Sequence, residues 1–298
     1  MTPPSAVEPF AFRGRSYFVK RDDCIDPLLS GNKYRKLYTL LQIPSSDYDT
    51  VVSYGGTQSN AMLSIAALCR LKGWRFDYFS KPLPEHLRSD PDGNLKKALE
   101  LGMNLLEQEQ EAYVHRIAEL KSSRRERVLV IPQGGADPLA QEGVSLLAEE
   151  IRAWKRREGI GSLRVVTPAG TGTTAYYLAA ALPEATVATT AVVGDSDYLK
   201  TQMQLLGALP ENLQILCSGT KHHFAKPYPE LLALYMELLD AGLEVDLLYG
   251  AKMWYELLQG EMGAEETLLY IHSGGLIGNE TMLKRYRYKG LYTPTESK

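Results

Sequence analysis

The sequence predicts an α/β protein with largely parallel sheets, and three observations carry that expectation. Short, β-branched apolar runs alternate with longer helical patterns along most of the 298 residues. Three of those runs lead straight into glycine-rich turns, SYGGTQSN at 53–60, TPAGTGTT at 167–174 and IHSGG at 271–275. The composition, 44% hydrophobic and 23% charged, is that of an ordinary globular chain long enough to bury a large core.

Taken in order, strands are expected at 51–54, 75–79, 128–131, 163–167, 187–193 and 267–272. Helices are expected at 33–41, 59–71, 94–101, 138–155, 173–180, 198–206, 229–241 and 252–259. Open α/β sheets bind ligands beyond the carboxyl ends of their strands, so the three glycine turns are where a site is sought. No fixed-period repeat, low-complexity tract or flexible linker interrupts the pattern.

Whole-chain properties narrow the function classes. The net charge is -3, with no basic stripe of the kind that a nucleic-acid partner requires. The short run Lys121–Arg127 is broken by Glu126 and reads as a solvated helix end. Three cysteines without a CxxC pair cannot build a disulfide framework, which favours a reducing compartment. The opening MTPPSAVEPFAFRG lacks the pattern of a secretory signal, and no later stretch is a membrane span, so the cytoplasm is expected. His86, His115, His222, His223 and His272 show no metal-ligand spacing, and no metal is expected; the adjacent His222 and His223 read as local hydrogen bonding.

Five segments can carry chemistry. In RDDCIDPLLSGNKYRKLYTLL, residues 21–41, the Gly31-Asn32 turn sets Lys33 at the start of a helix. Its stem can reach inward while Arg35 and Lys36 help keep the amine deprotonated, as a Schiff-base lysine needs; the alternative is a solvated lysine. Asp22 and Asp23 either orient that segment or form a surface ion pair. Ser59 and Asn60, at the head of an apolar helix, suit a carboxylate and a ring oxygen respectively, or Ser59 is simply a cap. Gly170, Thr171, Gly172, Thr173 and Thr174 form the best phosphate cradle, lacking the Lys-Ser/Thr ending of a Walker loop, or else a tight strand–helix turn. Tyr249 can position substrate or exchange a proton, and Ser273 can meet a pyridine nitrogen; each also reads as a packing or turn residue.

Together, SGNKYRKL, YGGTQSNA, IPQGGADPLAQEG, GTGTT, VDLLYGAKM and HSGG resemble the 1-aminocyclopropane-1-carboxylate deaminase and D-cysteine desulfhydrase family of pyridoxal-phosphate enzymes, over roughly residues 15–285. The resemblance implies a tryptophan-synthase-β-like (fold type II) protein of two lobes with open twisted sheets. Residues 1–41 and 128–298 would form the large cofactor-binding lobe and 42–127 an inserted small lobe. It implies pyridoxal 5'-phosphate on Lys33, Asn60 at the ring hydroxyl, Ser59 beside the substrate carboxylate, the 170–174 loop as phosphate cup, Tyr249 near the reacting amino acid, and a homodimer.

Three positions depart from the pattern. Gly250 stands where the deaminases carry Glu after the tyrosine, Ser273 where deaminases carry Leu and desulfhydrases Thr, and Ala61 where desulfhydrases commonly carry His. A hydroxyl in place of a carboxylate favours β-elimination from a small amino acid, giving a keto acid and ammonia, over cyclopropane opening to 2-oxobutyrate and ammonia. A nicotinamide oxidoreductase, a phosphosugar enzyme and a non-catalytic α/β ligand-binding protein are the other classes; none of them needs the GNKYRKL segment.

Overall fold

The β-branched runs pair into two sheets rather than one. A computed structural model describes residues 4–29, 31–122, 127–135, 138–260 and 266–293. Along the chain the strands are β1 (Val7–Phe12), β2 (Arg15–Lys20), β3 (Thr50–Tyr54), β4 (Arg75–Ser80), β5 (Met103–Glu107), β6 (Val128–Val130), β7 (Leu163–Ala169), β8 (Thr186–Ala191), β9 (Leu213–Ile215) and β10 (Thr267–Ile271). The larger sheet has the order β1-β2-β10-β7-β8-β9 and the smaller β5-β4-β3-β6. Every pairing is parallel except the β1–β2 hairpin, whose Arg13-Gly14 turn takes both residues to positive φ, 48° and 72°. This is a two-lobed α/β architecture with largely parallel sheets, as expected.

One expectation needs correction here. β6 pairs with β3, Val128 opposite Thr50, so the strand after residue 127 completes the smaller sheet instead of opening the large lobe.

The helices are α1 (Asn32–Lys36), α2 (Tyr38–Gln42), α3 (Asn60–Lys72), α4 (Glu85–Ser89), α5 (Gly93–Glu100), α6 (Gln110–Ser122), α7 (Ala140–Arg157), α8 (Thr173–Ala181), α9 (Ser196–Gln204), α10 (Pro229–Asp240), α11 (Gly250–Gln259) and α12 (Gly278–Tyr288). The single helix expected at 33–41 is two short ones, because Leu37 leaves helical geometry at φ -95°, ψ 4°. The central strands of the larger sheet, β7, β8 and β10, are buried on both faces. Val165, Val187 and Leu269 pack with α7 and α8, whereas Val166, Leu268 and Tyr270 pack with α10, α11 and α12. Continuous apolar strands are what a sheet covered by helices on both sides requires. Trp254 of α11 is wholly buried, with the rings of Phe10, Phe12, Tyr17 and Tyr270 at 5.0–5.8 Å. In the smaller lobe every residue of α3 from Ala61 to Cys69 is buried. Its apolar character all round is that of a helix inside a core rather than on a surface. No helix among the described residues is long and apolar enough to cross a membrane.

Candidate active site

Lys33 sits on α1, and the chain around it is fixed by close packing. Gly31 has φ 56°, and a Cβ there would overlap the carbonyl of Ser273 in the turn after β10. Only glycine permits both the left-handed backbone and that approach. The Asn32 amide donates to the same carbonyl at 3.4 Å, and Lys33 Nζ donates to Asn32 Oδ1 at 3.0 Å. Thus the lysine segment and the HSGG turn, far apart in sequence, form one wall.

Beneath α1 lies a buried ion network. Arg35 gives Nε and Nη2 to Asp22 at 3.0 and 2.8 Å and Nη1 to Glu150 of α7 at 2.7 Å, while Lys20 also binds Glu150. Asp22 is 0% exposed, so this is not a solvated surface pair. Asp23 pairs instead with Arg21 and faces His272. Arg35 is therefore turned away from Lys33, and the expectation that it lowers the lysine's pKa is corrected. Burial pulls the Lys33 amine down to about 8, against the opposing charge of Asp246. Burial also pulls Lys36 well below the usual lysine range, helped by repulsion from Lys33.

The opposite wall comes from the smaller lobe. Ser59 is the N-cap of α3, its Oγ accepting from the Met62 amide at 3.4 Å, and its hydroxyl also hydrogen-bonds that of Tyr78. Asn60 Oδ1 accepts from Asn94 Nδ2 at 2.7 Å, and a Cβ on Gly275 would overlap Asn60 Nδ2. Asn60 is thereby set against the HSGG turn. Gln58 completes the arrangement, donating to Asp92 and accepting the Asn94 amide at 3.0 Å.

The GTGTT loop leads into α8 without any side-chain cap, so the first amides of the helix have no intrahelical acceptor. The Thr171 and Thr173 hydroxyls lie 3.0 Å apart, and Thr174 Oγ1 is buried without a protein partner. Lys36 donates to the Gly134 carbonyl at 3.1 Å, and Gly134 in turn packs against the Thr171 methyl. A buried lysine amine whose acceptor is a neutral carbonyl, a free helix N-terminus and an orphaned hydroxyl together fit a phosphate group. The two glycines of the cup differ. A Cβ at Gly172, where φ is 77°, would strike Met203 Sδ (2.7 Å) and Leu199 Cδ1 (3.0 Å) of α9, whereas one at Gly170 would point to Tyr249, 3.4 Å from its Cε1.

Tyr249 lies over Gly170, edge-on to Phe224, with its ring centroid at 5.9 Å. Burial, reinforced by the charge of Asp246, raises its pKa above the usual tyrosine value, so the hydroxyl stays protonated at neutral pH. Asp246 is itself buried, and its carboxylate accepts from the amides of Leu248, Tyr249 and Gly250 at 3.1, 2.6 and 2.9 Å. It caps α11 and fixes the tyrosine. A Cβ on Gly250 would meet Val245 Cβ at 2.8 Å and Asp246 Oδ2 at 3.2 Å. Ser273 is buried, held through its own carbonyl. His272 accepts from the Gly274 amide at Nδ1 (3.1 Å) and faces the Glu244 carbonyl through Nε2 (2.6 Å), which selects the neutral Nε2–H form and braces the turn.

The approaches of Gly31 to Ser273, Gly275 to Asn60 and Gly170 to Tyr249, with the charge of Asp246 felt at Lys33, bring these segments together, and the cleft between them is the candidate site. Sequence reasoning missed Lys36, Gln58, Asp92, Asn94 and Asp246. The signals for three of them were Asp92-Gly93-Asn94, a turn before a helix, and Asp246 three residues before Tyr249 in a capping position. Outside the cleft, His222 bridges Glu230 and Lys252 at 2.9 Å each, and the described residues hold no metal-ligand cluster.

No protein-family model matches the chain. It is 32% identical over 304 residues to the nocardicin C-9' epimerase of Nocardia uniformis subsp. tsuyamanensis, covering 92% of this chain and 91% of that one. The D-cysteine desulfhydrase of Serratia proteamaculans (strain 568) is 26% identical over 294 residues, covering 89% and 88%. A solved structure of an ACC deaminase homologue (ACC, 1-aminocyclopropane-1-carboxylate) superposes with a TM-score of 0.75 at 23% identity, over 95% of this chain and 94% of that one. That last likeness speaks for the fold alone.

Proposed function

Because the chain belongs to the 1-aminocyclopropane-1-carboxylate deaminase/D-cysteine desulfhydrase-like superfamily of fold type II pyridoxal-phosphate enzymes, we propose that it carries pyridoxal 5'-phosphate on Lys33 and performs β-elimination on a small amino acid. The observation that carries this reading is Lys33 itself: a half-buried amine with its pKa lowered to about 8, in a cleft with a phosphate cradle on one side. At pH 7 about a tenth of such amines are neutral, against about one in three thousand for an ordinary lysine. Only the neutral amine can attach a carbonyl group or take a proton.

When bound, the cofactor supplies an electron sink that weakens the bonds at the substrate's α-carbon. The rest falls to the chain. The amides that open α8, with the Thr171, Thr173 and Thr174 hydroxyls and Lys36, hold the phosphate. Asn60 offers an N–H to the ring hydroxyl oxygen, Ser59 donates its O–H to the substrate carboxylate, and Ser273 meets the pyridine nitrogen. Lys33 takes the α-proton. Tyr249, kept protonated, gives a proton rather than removing one. With cysteine and water the balanced products are pyruvate, hydrogen sulfide and ammonia.

The preference for β-elimination over cyclopropane opening is supported at Gly250. Packing against Val245 and Asp246 closes that position to any side chain, so an acidic partner for the ring nitrogen is excluded sterically, and the neutral Ser273 remains. A weaker electron sink suits a substrate with a good leaving group. The 32% identity to an epimerase favours a second reading, in which Lys33 and Tyr249 exchange the α-proton between the two faces and nothing is eliminated. A homodimer belongs to the proposal, and light scattering on the purified protein tests it.

Borohydride treatment of the pyridoxal-phosphate-loaded protein should fix the label on the Lys33 peptide by mass analysis, and Lys33→Ala should remove it completely. Label on another lysine overturns the assignment. Pyruvate from D- or L-cysteine exceeding 2-oxobutyrate from the cyclopropane acid supports elimination. Deuterium uptake at the α-carbon in heavy water without keto acid supports epimerisation instead.

A further inference from the structure

Asn60 faces the cleft with an amide, and its use depends on which end points inward. The neighbouring bonds decide this by chemistry. Asn94 Nδ2 lies 2.9 Å from the backbone carbonyl of Gln58 and 2.7 Å from Asn60 Oδ1. A carbonyl oxygen only accepts, so the Asn94 atom beside it must be the NH2 group. Reversing Asn94 would set two acceptors face to face. The other hydrogen of that NH2 points at Asn60, so the Asn60 atom it meets must be the oxygen. Asn60 Nδ2 is left packed on Gly275, with no acceptor among the described residues.

Asn94 does not choose its own orientation through its oxygen, because Oδ1 is buried without a partner. It is 0% exposed and is fixed through its backbone amide, which donates to Gln58 Oε1 at 3.0 Å. That amide fixes Gln58 in turn, whose Nε2 reaches the carbonyl and the carboxylate of Asp92, both at 3.1 Å. Asp92 is held from the other lobe, accepting from Thr281 Oγ1 at 3.1 Å and Lys284 Nζ at 3.0 Å on α12. Every bond in this relay has one allowed polarity, and the sequence of them runs from the large lobe to the cleft.

We infer that Asn94 is a positioning residue that fixes the polarity of Asn60, so that the cleft presents an N–H donor to an electron-rich ligand oxygen. This rests on the proposed cofactor, whose ring hydroxyl supplies that oxygen. The residue acts through Asn60 and touches no ligand. Asn94→Asp replaces the NH2 by an acceptor, so Asn60 turns its Nδ2 toward position 94 and offers Oδ1 to the ligand.

The test is a double-mutant cycle on the full chain with pyridoxal phosphate as the probe, reading cofactor affinity and the pH midpoint of its visible absorbance. Asn60→Ala and Asn94→Asp should each weaken affinity about tenfold, as loss of one hydrogen bond to a charged group does. Each should also raise the midpoint, because the donor that stabilises the ionised oxygen is gone. The double variant should be no worse than Asn60→Ala. Losses that multiply, or an unchanged midpoint with a lowered melting temperature, overturn the inference and leave the cofactor assignment standing. Unmodified protein that takes up no pyridoxal phosphate defeats that assignment, and the inference with it. If Asn94→Asp does not fold, Asn94→Ala should show a smaller loss, about threefold, masked in the same way.

Discussion

The two walls of the cleft are held by different chemistry. Under Lys33 the support is ionic: Lys20, Asp22, Arg35 and Glu150 set two cations against two anions, all but Glu150 buried. Around Asn60 the support is mostly amide: Gln58, Asn94 and Asn60 hand one another hydrogen bonds, with one half-exposed ion pair, Asp92–Lys284, where the relay meets α12. An ion network fixes where a helix sits but is indifferent to which atom points where. An amide relay is weaker and carries direction. The difference matches the demands that the proposed cofactor would make on each wall: a place and low dielectric at Lys33, the correct end presented at Asn60.

The largest effect is expected on the ionic side. Arg35→Ala leaves the buried Asp22 with only the Ser5 hydroxyl and Glu150 with only Lys20, and should destabilise the protein by about 3–5 kcal/mol. Burial works against the charged form of Glu150, yet Arg35 and Lys20 hold its pKa below the ordinary glutamate value. Its contribution is therefore complete above the unfolded value near 4.5 and drains away as pH falls through the depressed folded value. Urea unfolding of the variant and the parent should converge in acid; a constant gap would deny that the network depends on ionised Glu150.

A middle effect belongs to the loop that has neither charge nor amide relay. Gly172→Ala should lower stability by about 1–2 kcal/mol from its left-handed backbone, and further from the clash with Met203. It should change cofactor affinity little once folded. Gly170→Ala should reverse the order, sparing stability and disturbing Tyr249 and the cofactor. Titrating pyridoxal phosphate into both folded variants separates the two, and equal losses of affinity would remove the distinction drawn between them.

On the amide side, Thr281→Val removes one neutral donor from Asp92 and should cost about 1–1.5 kcal/mol, read from urea unfolding. A loss as large as that of Arg35→Ala would erase the contrast between the walls. The Lys33 side can be probed without mutation, too. The rate of covalent cofactor attachment should rise about tenfold per pH unit below 8, as the neutral amine accumulates, and level off above it. Stopped-flow absorbance measures it, and a plateau only near 10.5 would mean that burial does not lower the amine.

Much of the fold was legible because buried parallel strands write themselves as apolar runs; Val51–Tyr54 and Leu163–Thr167 are examples. The β1–β2 hairpin was not, since Pro9 and the charges Glu8, Arg13, Arg15 and Lys20 interrupt its alternation. Nor were β5, a short run ending in Glu107, or α12, whose buried residues are scattered among Lys284, Arg285 and Arg287. In the site, the glycines and the lysine stood out because local backbone demands mark them. Asn94 and Asp92 did not, because their meaning lies in partners on other elements. Arg35 was assigned to the wrong neighbour for the same reason: adjacency along a short helix says nothing of which side a long arm leaves by.

The junction of Gly31 with Ser273 has a consequence for biosynthesis. β2 lies beside β10 in the larger sheet, and the lysine segment rests on the carbonyl that follows β10. A nascent chain therefore has its lysine, its glycine loop and its smaller sheet outside the ribosome well before the wall behind that lysine exists. Closing so long a loop is slow relative to local folding, and a partly built site exposes apolar strand edges meanwhile. Capture of the cofactor is consequently a late event, coming after translation has delivered β10, and a ribosome stalled ahead of Thr267 should display a chain that pyridoxal phosphate does not label at Lys33.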